Sequence, residues 1–464
     1  LLLTAIVLAM TCALVYEARY YSVTADEPSH LAAGYMYWQG KDVLEPSDAP
    51  PLTRILSGWV PAVLSPPLPL DARPLTEQNA YQVGRDMMAA LGPESAHRLY
   101  FFTRLTFLLF PIGIVVLIWH WAGLLFHPSV RWLLTMAAAA EPTLLGHGAL
   151  INSDVPAAFA SLFFGYAAWR FWKAPSERNI AWLICAVVVG LLIKFTLLPL
   201  IFCAAGLILW KAKRRFAMTA LLVAISYASV IAAYGFHAEK FKAAQLYDMG
   251  GTGIHLIDKT VANCLSVLPW PAQFIRGIRY IRTHLSMGFN AYMLGHRISG
   301  PQPLYYFLAL AVKFPIPLQV LTLSGLAVCV LRRRHADSSA VIVIWGLAFF
   351  FLGCGILSNF HIGIRHILPA YPFLLLGSGF ALERLRWTAL PLMAWLVVSS
   401  GMVYPNGIAF FNEWIGGPNN GWKYLADSNI DWGQDFRALG DYVRRERITN
   451  IRLSLFGPED PTGY

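Results

Sequence analysis

The run NIAWLICAVVVGLLIKFTLLPLIFCAAGLILW, residues 179–210, holds one charge, Lys194, among otherwise apolar side chains. A membrane-crossing α-helix takes about 20 apolar residues to traverse roughly 30 Å of hydrocarbon. This run is too long for one crossing and too short for two with an ordinary loop. The reading therefore divides it at Lys194 into helices over 180–193 and 195–210 joined by a tight turn. Working outward, comparable blocks recur at 1–16, 100–122, 131–150, 154–172, 216–235, 304–331, 339–357, 364–382 and 387–404. The expectation is an all-α polytopic membrane protein of roughly eleven transmembrane helices. Composition agrees: of 464 residues, 57% are hydrophobic and 13% charged, whereas a soluble domain has about 25% charged.

The net charge of +10 does not point to nucleic acid, because Lys and Arg gather in short loops between the apolar blocks. With the N-terminus inside, the loops 127–131, 173–179, 211–215 (KAKRR), 332–337 (RRRHAD) and 383–386 (ERLR) become cytoplasmic, as the positive-inside rule requires. Three long segments, 17–98, 236–303 and 405–464, then lie on the opposite face. Apolar residues at helical spacing in the first, Leu31, Tyr35, Trp38, Ile55 and Trp59, predict helices along the membrane surface. Residues 1–404 read as the membrane domain and 405–464 as a periplasmic segment: a polar loop, an amphipathic helix and a strand at Ile451–Phe456, the start of a small α/β unit expected either to continue past residue 464 or to be a stub. The opening LLLTAIVLAM lacks an initiator Met and a cleavage pattern, and reads as a retained first span. The six cysteines have no metal-type spacing, which argues against a disulfide framework.

Every chemically distinctive group falls on the outer half of this topology. TADEPSHLAAG places Asp26, Glu27 and His30 just after the first span. Adjacent acids there suit a general base or a cation site, while Asp26 before Pro28 also suits a helix cap. EPTLLGHGALINSDVPAAF sets Glu141, His147 and Asp154 around an outer turn, Asp154 again doubling as a candidate cap. Arg104 and Lys194 are cations in apolar surroundings that must find partners or reach the interface. SNFHIGIRHILPAYP offers His361, Arg365 and His366 at the start of a span, an arrangement suited to a phosphate-type anion. The His spacing is a poor zinc pair. DSNIDWGQD contributes Asp427, Asp431, Trp432, Gln434 and Asp435, residue types that bind sugars, or alternatively a capped surface loop. A substrate anionic at one end and hydroxylated at the other suits this collection, and a polyprenyl-phosphate sugar has that form.

The ordered series TADEPSHLAAGYMYWQGKD, PPLTRIL, RLTFLLFPIG, HGALINSDVPAAFASLFF, GLLIKFTLLPLIF, IGIRHILPAYPFL and YPNGIAFFNEWIGGPNNGWKYLADSNIDWGQD spans almost the whole chain. It resembles bacterial phospholipid-carrier-dependent glycosyltransferases of the glycosyltransferase C superfamily, relatives of the protein O-mannosyltransferases and the lipid A aminoarabinose transferase. The acidic pair after the first span and the DSNxDWGQD run carry the resemblance best. It implies an inverting sugar transfer at the outer face of a bacterial inner membrane. Asp26 would be the catalytic base or an acceptor-binding acid, with Glu27 beside it and Asp154 supporting the same cavity. Arg104, Lys194, Arg365 and His366 would lie toward the carrier phosphate, and His30, His147, Asp427, Asp431, Trp432, Gln434 and Asp435 toward sugar or acceptor. The His that often precedes the family's double proline is Ala49 here, which puts a role for that position in doubt. The implied partners are a polyprenyl-phosphate-linked sugar, membrane lipid and an acceptor of unspecified class. No redox cofactor is required, and metal dependence stays open because some superfamily members use a divalent ion. Two rivals stand beside this: a transporter or flippase for a lipid-linked or anionic solute, and a non-catalytic assembly subunit.

Overall fold

The computed structural model describes residues 1–41, 44, 49–71, 73–74, 77–247, 255–331, 337–454 and 456–458. Residues 332–336 of the basic loop at 332–337 and one residue of the expected strand at 451–456 lie outside this set. Helices dominate. Among the described residues the named strands form one antiparallel hairpin, Ala291–Met293 against His296–Ile298. The described part of 451–456 is exposed and forms no strand, so among the described residues the expected α/β unit is reduced to the Phe436–Arg445 helix.

Among the described residues four helices are long and apolar enough to cross a membrane: Leu2–Tyr20, Pro93–Leu125, Arg215–Ala233 and Ser338–Leu357. Tyr305–Lys313 with Ile316–Leu331, bent by 119°, would make a fifth. The expectation of roughly eleven full crossings is therefore corrected. Several apolar blocks are interrupted, and proline accounts for much of this, since it removes a backbone donor and crowds the preceding turn. The block at 131–150 breaks into Pro128–Ala139 and Pro142–Gly148, where Glu141 accepts a bond from Leu144 N at 2.6 Å and Pro142 opens the new helix. The block at 364–382 begins as a 3-10 helix, Ile364–Ala370, containing Pro369, before Tyr371–Leu385 continues as α. The division at Lys194 holds: Glu177–Ile193 ends there, Lys194 is extended, and Leu200–Lys211 follows a 3-10 turn.

The helix after the first span packs inside the protein. Glu27–Trp38 is buried on nearly every side, only Tyr37 and Trp38 among its residues being outside the buried set. Small residues explain it. A Cβ on Gly34 would sit 2.4 Å from Ser57 Oγ, and one on Gly58 of the Pro51–Leu64 helix would sit 2.0 Å from Gly34 O. The two backbones thus touch through glycine, which fixes how far the Asp26 end reaches toward the remaining helices.

Loops assigned to the same face meet. Lys173 Nζ binds Asp337 Oδ2 at 2.8 Å, and His127 N donates to Glu383 Oε2 at 2.9 Å. Asp26, Asp154 and Arg365, assigned to the other face, contact one another instead. The ends of the helical array are therefore chemically segregated.

Gly34→Val should disrupt the contact between the two glycine-paired helices and cost at least about 1–3 kcal/mol, read as a lower unfolding temperature in detergent. Gly206→Ala, on a helix where an added Cβ meets nothing within 4 Å, should instead raise it slightly by helix propensity.

Candidate functional site

The site is assembled on a buried ion pair. Glu27 and Arg104 have no exposed side-chain surface, and Arg104 Nη2 lies 2.5 Å from Glu27 Oε2 while Nε lies 2.8 Å from Oε1. The remaining guanidinium hydrogens go to Ala18 O and Tyr21 O at 2.8 Å and Ser22 O at 2.7 Å. An arginine has five N–H donors, and all five are used. Glu27 also accepts from Thr24 N at 2.8 Å and Ile151 N at 3.0 Å. Its four acceptor positions are thereby filled. Arg104 thus faces protein acceptors rather than a carrier phosphate, and Glu27 anchors the backbone beside Asp26 to the turn before Asp154. The expected ligand roles for these two residues are corrected to an internal one, because every polar atom that a substrate could use is already engaged.

Neither candidate capping aspartate caps. The Asp26 side chain makes no cap bond to the helix it precedes. Asn152 Oδ1 takes the amides of Asp154 and Val155 at 2.9 and 3.2 Å, which releases the Asp154 carboxylate. Both carboxylates turn to Arg365: Nη1 lies 3.0 Å from Asp26 Oδ2 and 3.3 Å from Asp154 Oδ2. Lys194 Nζ closes on Asp154 Oδ1. Two acids and two cations from four separate segments thus form one centre. Asp26 is its open member, with 24% of its side chain exposed against 2% for Asp154.

The guanidinium of Arg365 is held from below and from the side. Its Cζ lies 4.1 Å from the Trp432 ring centroid, a cation–π stack, and Nε donates to Ser428 Oγ at 3.2 Å. Ser428 comes this near because residue 363 is glycine: a Cβ there would stand 2.2 Å from Ser428 Oγ. Trp432 is 1% exposed, so its ring serves Arg365 and is closed to a sugar face.

The rest of the DSNIDWGQD run mostly builds its own loop. Gln434 Oε1 accepts from Trp432 N at 2.6 Å and its Nε2 reaches Ile430 O and Asp435 Oδ2 at 2.9 and 3.0 Å. Asp431 Oδ1 accepts from Gly433 N at 2.8 Å. The loop then pairs with the chain leading into Asp26, through Ala25 N to Trp432 O and Ser22 N to Gln434 O, both 2.9 Å. Gln434, Asp431 and Asp435 thus all take part in holding this loop, Gln434 with both ends of its amide and the exposed Asp431 with one carboxylate oxygen. Burial, then the nearby Asp431 charge, push the Asp435 carboxyl up to about 6.

His147 is buried beside Trp432, ring centroids 6.0 Å apart, with Nδ1 3.0 Å from Thr143 O. His366 packs against Phe360 at 5.5 Å. The Nε2 atoms of both histidines are buried and without a hydrogen-bond partner. His30 is buried on the Glu27–Trp38 helix, where its carbonyl accepts from Ser57 Oγ at 2.7 Å and its backbone N–H donates to Asp26 O at 3.3 Å. Asp427 sits beside the centre in the left-handed region, φ 59°. Loss of hydration raises its carboxyl, opposed by its bond to Ser428 N and by the Arg365 charge. Among the described residues no group of three or more His, Cys, Asp or Glu is arranged to hold a metal ion.

The sequence reading overlooked Lys313 and Asn429. Lys313 is fully buried at the break of the bent helix pair, donating to Ile408 O at 2.8 Å and to Asn429 O. Asn429 Oδ1 in turn accepts from Ile364 N at 3.0 Å, beside Arg365. A lysine inside an apolar run next to Phe314 and Pro315 was the available signal.

Glu27→Gln should destabilise the fold by about 3–5 kcal/mol, because it strands a buried guanidinium; Glu27→Gln with Arg104→Met should recover part of that loss in detergent unfolding. Asp435 holds its proton more tightly folded than unfolded, so its contribution to stability falls as pH rises from about 4 to about 6. Asp435→Asn should flatten the pH dependence of the unfolding midpoint in that window.

Comparison with protein-family models and with curated protein sequences returns no match to this chain.

Proposed function

We propose that this protein is an inverting glycosyltransferase that moves a sugar from a polyprenyl-phosphate carrier to an acceptor at the outer face of a bacterial inner membrane. The observation that carries the reading is Arg365 bridging Asp26 and Asp154, with Lys194 on the far side of Asp154. Asp26 is the proton acceptor of the pair, being the open carboxylate. Asp154 is enclosed between two cations and serves to hold them. In the reaction the acceptor hydroxyl oxygen bonds to the anomeric carbon as the bond from that carbon to the phosphate oxygen breaks. The hydroxyl proton passes to Asp26, and the electron pair leaves with the phosphate, whose growing charge Arg365 and Lys194 stabilise. The apolar helices around the centre suit a donor whose tail stays in lipid.

The transporter reading retains one observation in its favour. The 119° break between Tyr305–Lys313 and Ile316–Leu331, with buried Lys313 beside it, is the kind of discontinuous helix that transporters use at substrate sites. Such transporters use broken helices in corresponding halves, and this pair is the one that the described residues provide.

The deciding experiment reconstitutes the full chain with polyprenyl-phosphate sugars and measures both sugar transfer and movement of the lipid across the bilayer. Asp26→Asn should reduce transfer by at least about 100-fold, the scale of a lost general base, with the unfolding temperature held. Lys194→Gln should lower the transfer rate at saturating donor as well as donor affinity. Retained transfer in Asp26→Asn, or lipid movement without any transfer, would reject the enzyme reading.

A further inference from the structure

An open groove of about 630 Å³ runs between the Glu177–Ile193 and Arg215–Ala233 helices. Its lining residues recur three or four apart on both sides, so each helix gives the groove a single face. Ile180, Ile184 and Val188 form one wall, and Ala217, Leu221 and Ile225 form the other. The second helix leaves this face open because it meets the protein along a narrow stripe. Its buried residues are Leu222, Ser226 and Val230, and 17% of its apolar stretch is buried, against 50% for Pro93–Leu125 and 44% for Ser338–Leu357. Leu221 and Ile225 are accordingly exposed apolar side chains.

One end of the groove is charged. Glu177 and Arg214 line it there, and the chain beside them carries Arg178, Lys211, Lys213 and Arg215, so that five basic side chains surround one acid. Lys211 Nζ lies 5.3 and 3.9 Å from the ring centroids of Trp172 and Trp210. Tryptophans beside cations mark a helix end at the level of lipid headgroups. Lys213 and Arg214 are exposed, and among the described residues neither side chain makes a hydrogen bond or ion pair. From this mouth residues 177–188 rise about 16 Å and residues 214–229 about 22 Å. That is the depth of roughly one leaflet of a ~30 Å hydrocarbon core.

We propose that this groove holds an acyl chain of an anionic phospholipid, with the phosphodiester on Arg214 and Lys213 and the headgroup hydroxyls toward Glu177. A guanidinium forks onto phosphate oxygens, and a hydroxylated headgroup donates to the carboxylate. The excess of cations selects a lipid of net negative charge over a zwitterionic one, whose ammonium they repel. The site is separate from the Arg365 centre. Lys194 follows the opposite end of the Glu177–Ile193 helix, about 25 Å from Glu177, so the two phosphate-binding ends belong to opposite leaflets. The bound lipid fastens the loosely packed Arg215–Ala233 helix to the helix that ends at Lys194, and the inference stands whether or not the chain transfers sugar.

The test is native mass spectrometry of the full chain in detergent mixed with equal amounts of phosphatidylglycerol, phosphatidylethanolamine and phosphatidylcholine. Phosphatidylglycerol should be retained about tenfold above either zwitterionic lipid, and Arg214→Gln should cut that excess about fivefold, the factor one basic side chain supplies beside anionic lipid. Ala217→Trp fills the groove without altering its charge and should lower phosphatidylglycerol retention as well. Both positions are exposed, so the unfolding temperature without added lipid should hold. The unaltered chain gives a second readout. Cys185 lines the groove and Cys264 is exposed outside it, so phosphatidylglycerol should slow alkylation of Cys185 and leave that of Cys264 unchanged. Equal retention of the three lipids, an excess indifferent to both substitutions, or no protection of Cys185 overturns the proposal. An excess lost in Arg214→Gln but kept in Ala217→Trp rejects the groove in favour of diffuse surface charge. A lipid-free dimer broken by Ala217→Trp rejects it in favour of a second copy of the chain.

Discussion

The fully satisfied pair of Glu27 and Arg104 is the constraint on which the remaining geometry depends. Burying two charges is costly unless each is paired and each polar atom is satisfied. Here the cost is met by seven hydrogen bonds, two of them between the partners themselves, which occupy the five guanidinium hydrogens and the four carboxylate positions. The acceptors for Arg104 are the last carbonyls of the first helix and the chain just beyond it, Ala18, Tyr21 and Ser22. Glu27 reaches Ile151, three residues before Asp154. One ion pair therefore sets the spacing between the segments that bear the two acids.

Arg365 faces the opposite situation. Its hydrogen bonds to Asp26, Asp154 and Ser428 leave Nη2 without a bond to any described residue, and Asp26 is partly open. Stacking on Trp432 fixes the plane of the guanidinium without consuming its donors. A rigid cation with spare hydrogen-bonding capacity, beside a carboxylate that water can reach, is available to a ligand without rearrangement. The contrast between the saturated Arg104 and the unsaturated Arg365 separates scaffold from site more sharply than burial alone.

The C-terminal segment contributes position more than chemistry. Its loop pairs with Ser22 and Ala25, places Trp432 beneath Arg365 and Ser428 beside it, and provides the surface on which the Ala291–Ile298 hairpin rests. Segments 17–98, 236–303 and 405–464 are far apart in the chain, yet they close around one centre. Residues such as Gln434 and Asp431, which resemble ligand-binding groups by type, take part in holding that loop in register.

The sequence by itself determined the apolar helical character, the break at Lys194 and the segregation of basic loops from acidic turns. These follow from local composition and from the cost of placing charge in lipid, both properties of short stretches. It overstated the number of full crossings because hydropathy registers apolar residues but not the bends that prolines at 142, 315, 317 and 369 impose. It could not tell Glu27 from Asp26, adjacent acids of the same type, or a phosphate-seeking arginine from one enclosed by carbonyls. Those distinctions were decided only by tertiary structure, because whether a polar atom is engaged or available depends on partners such as Ile151 for Glu27, brought to it from 124 positions along the chain.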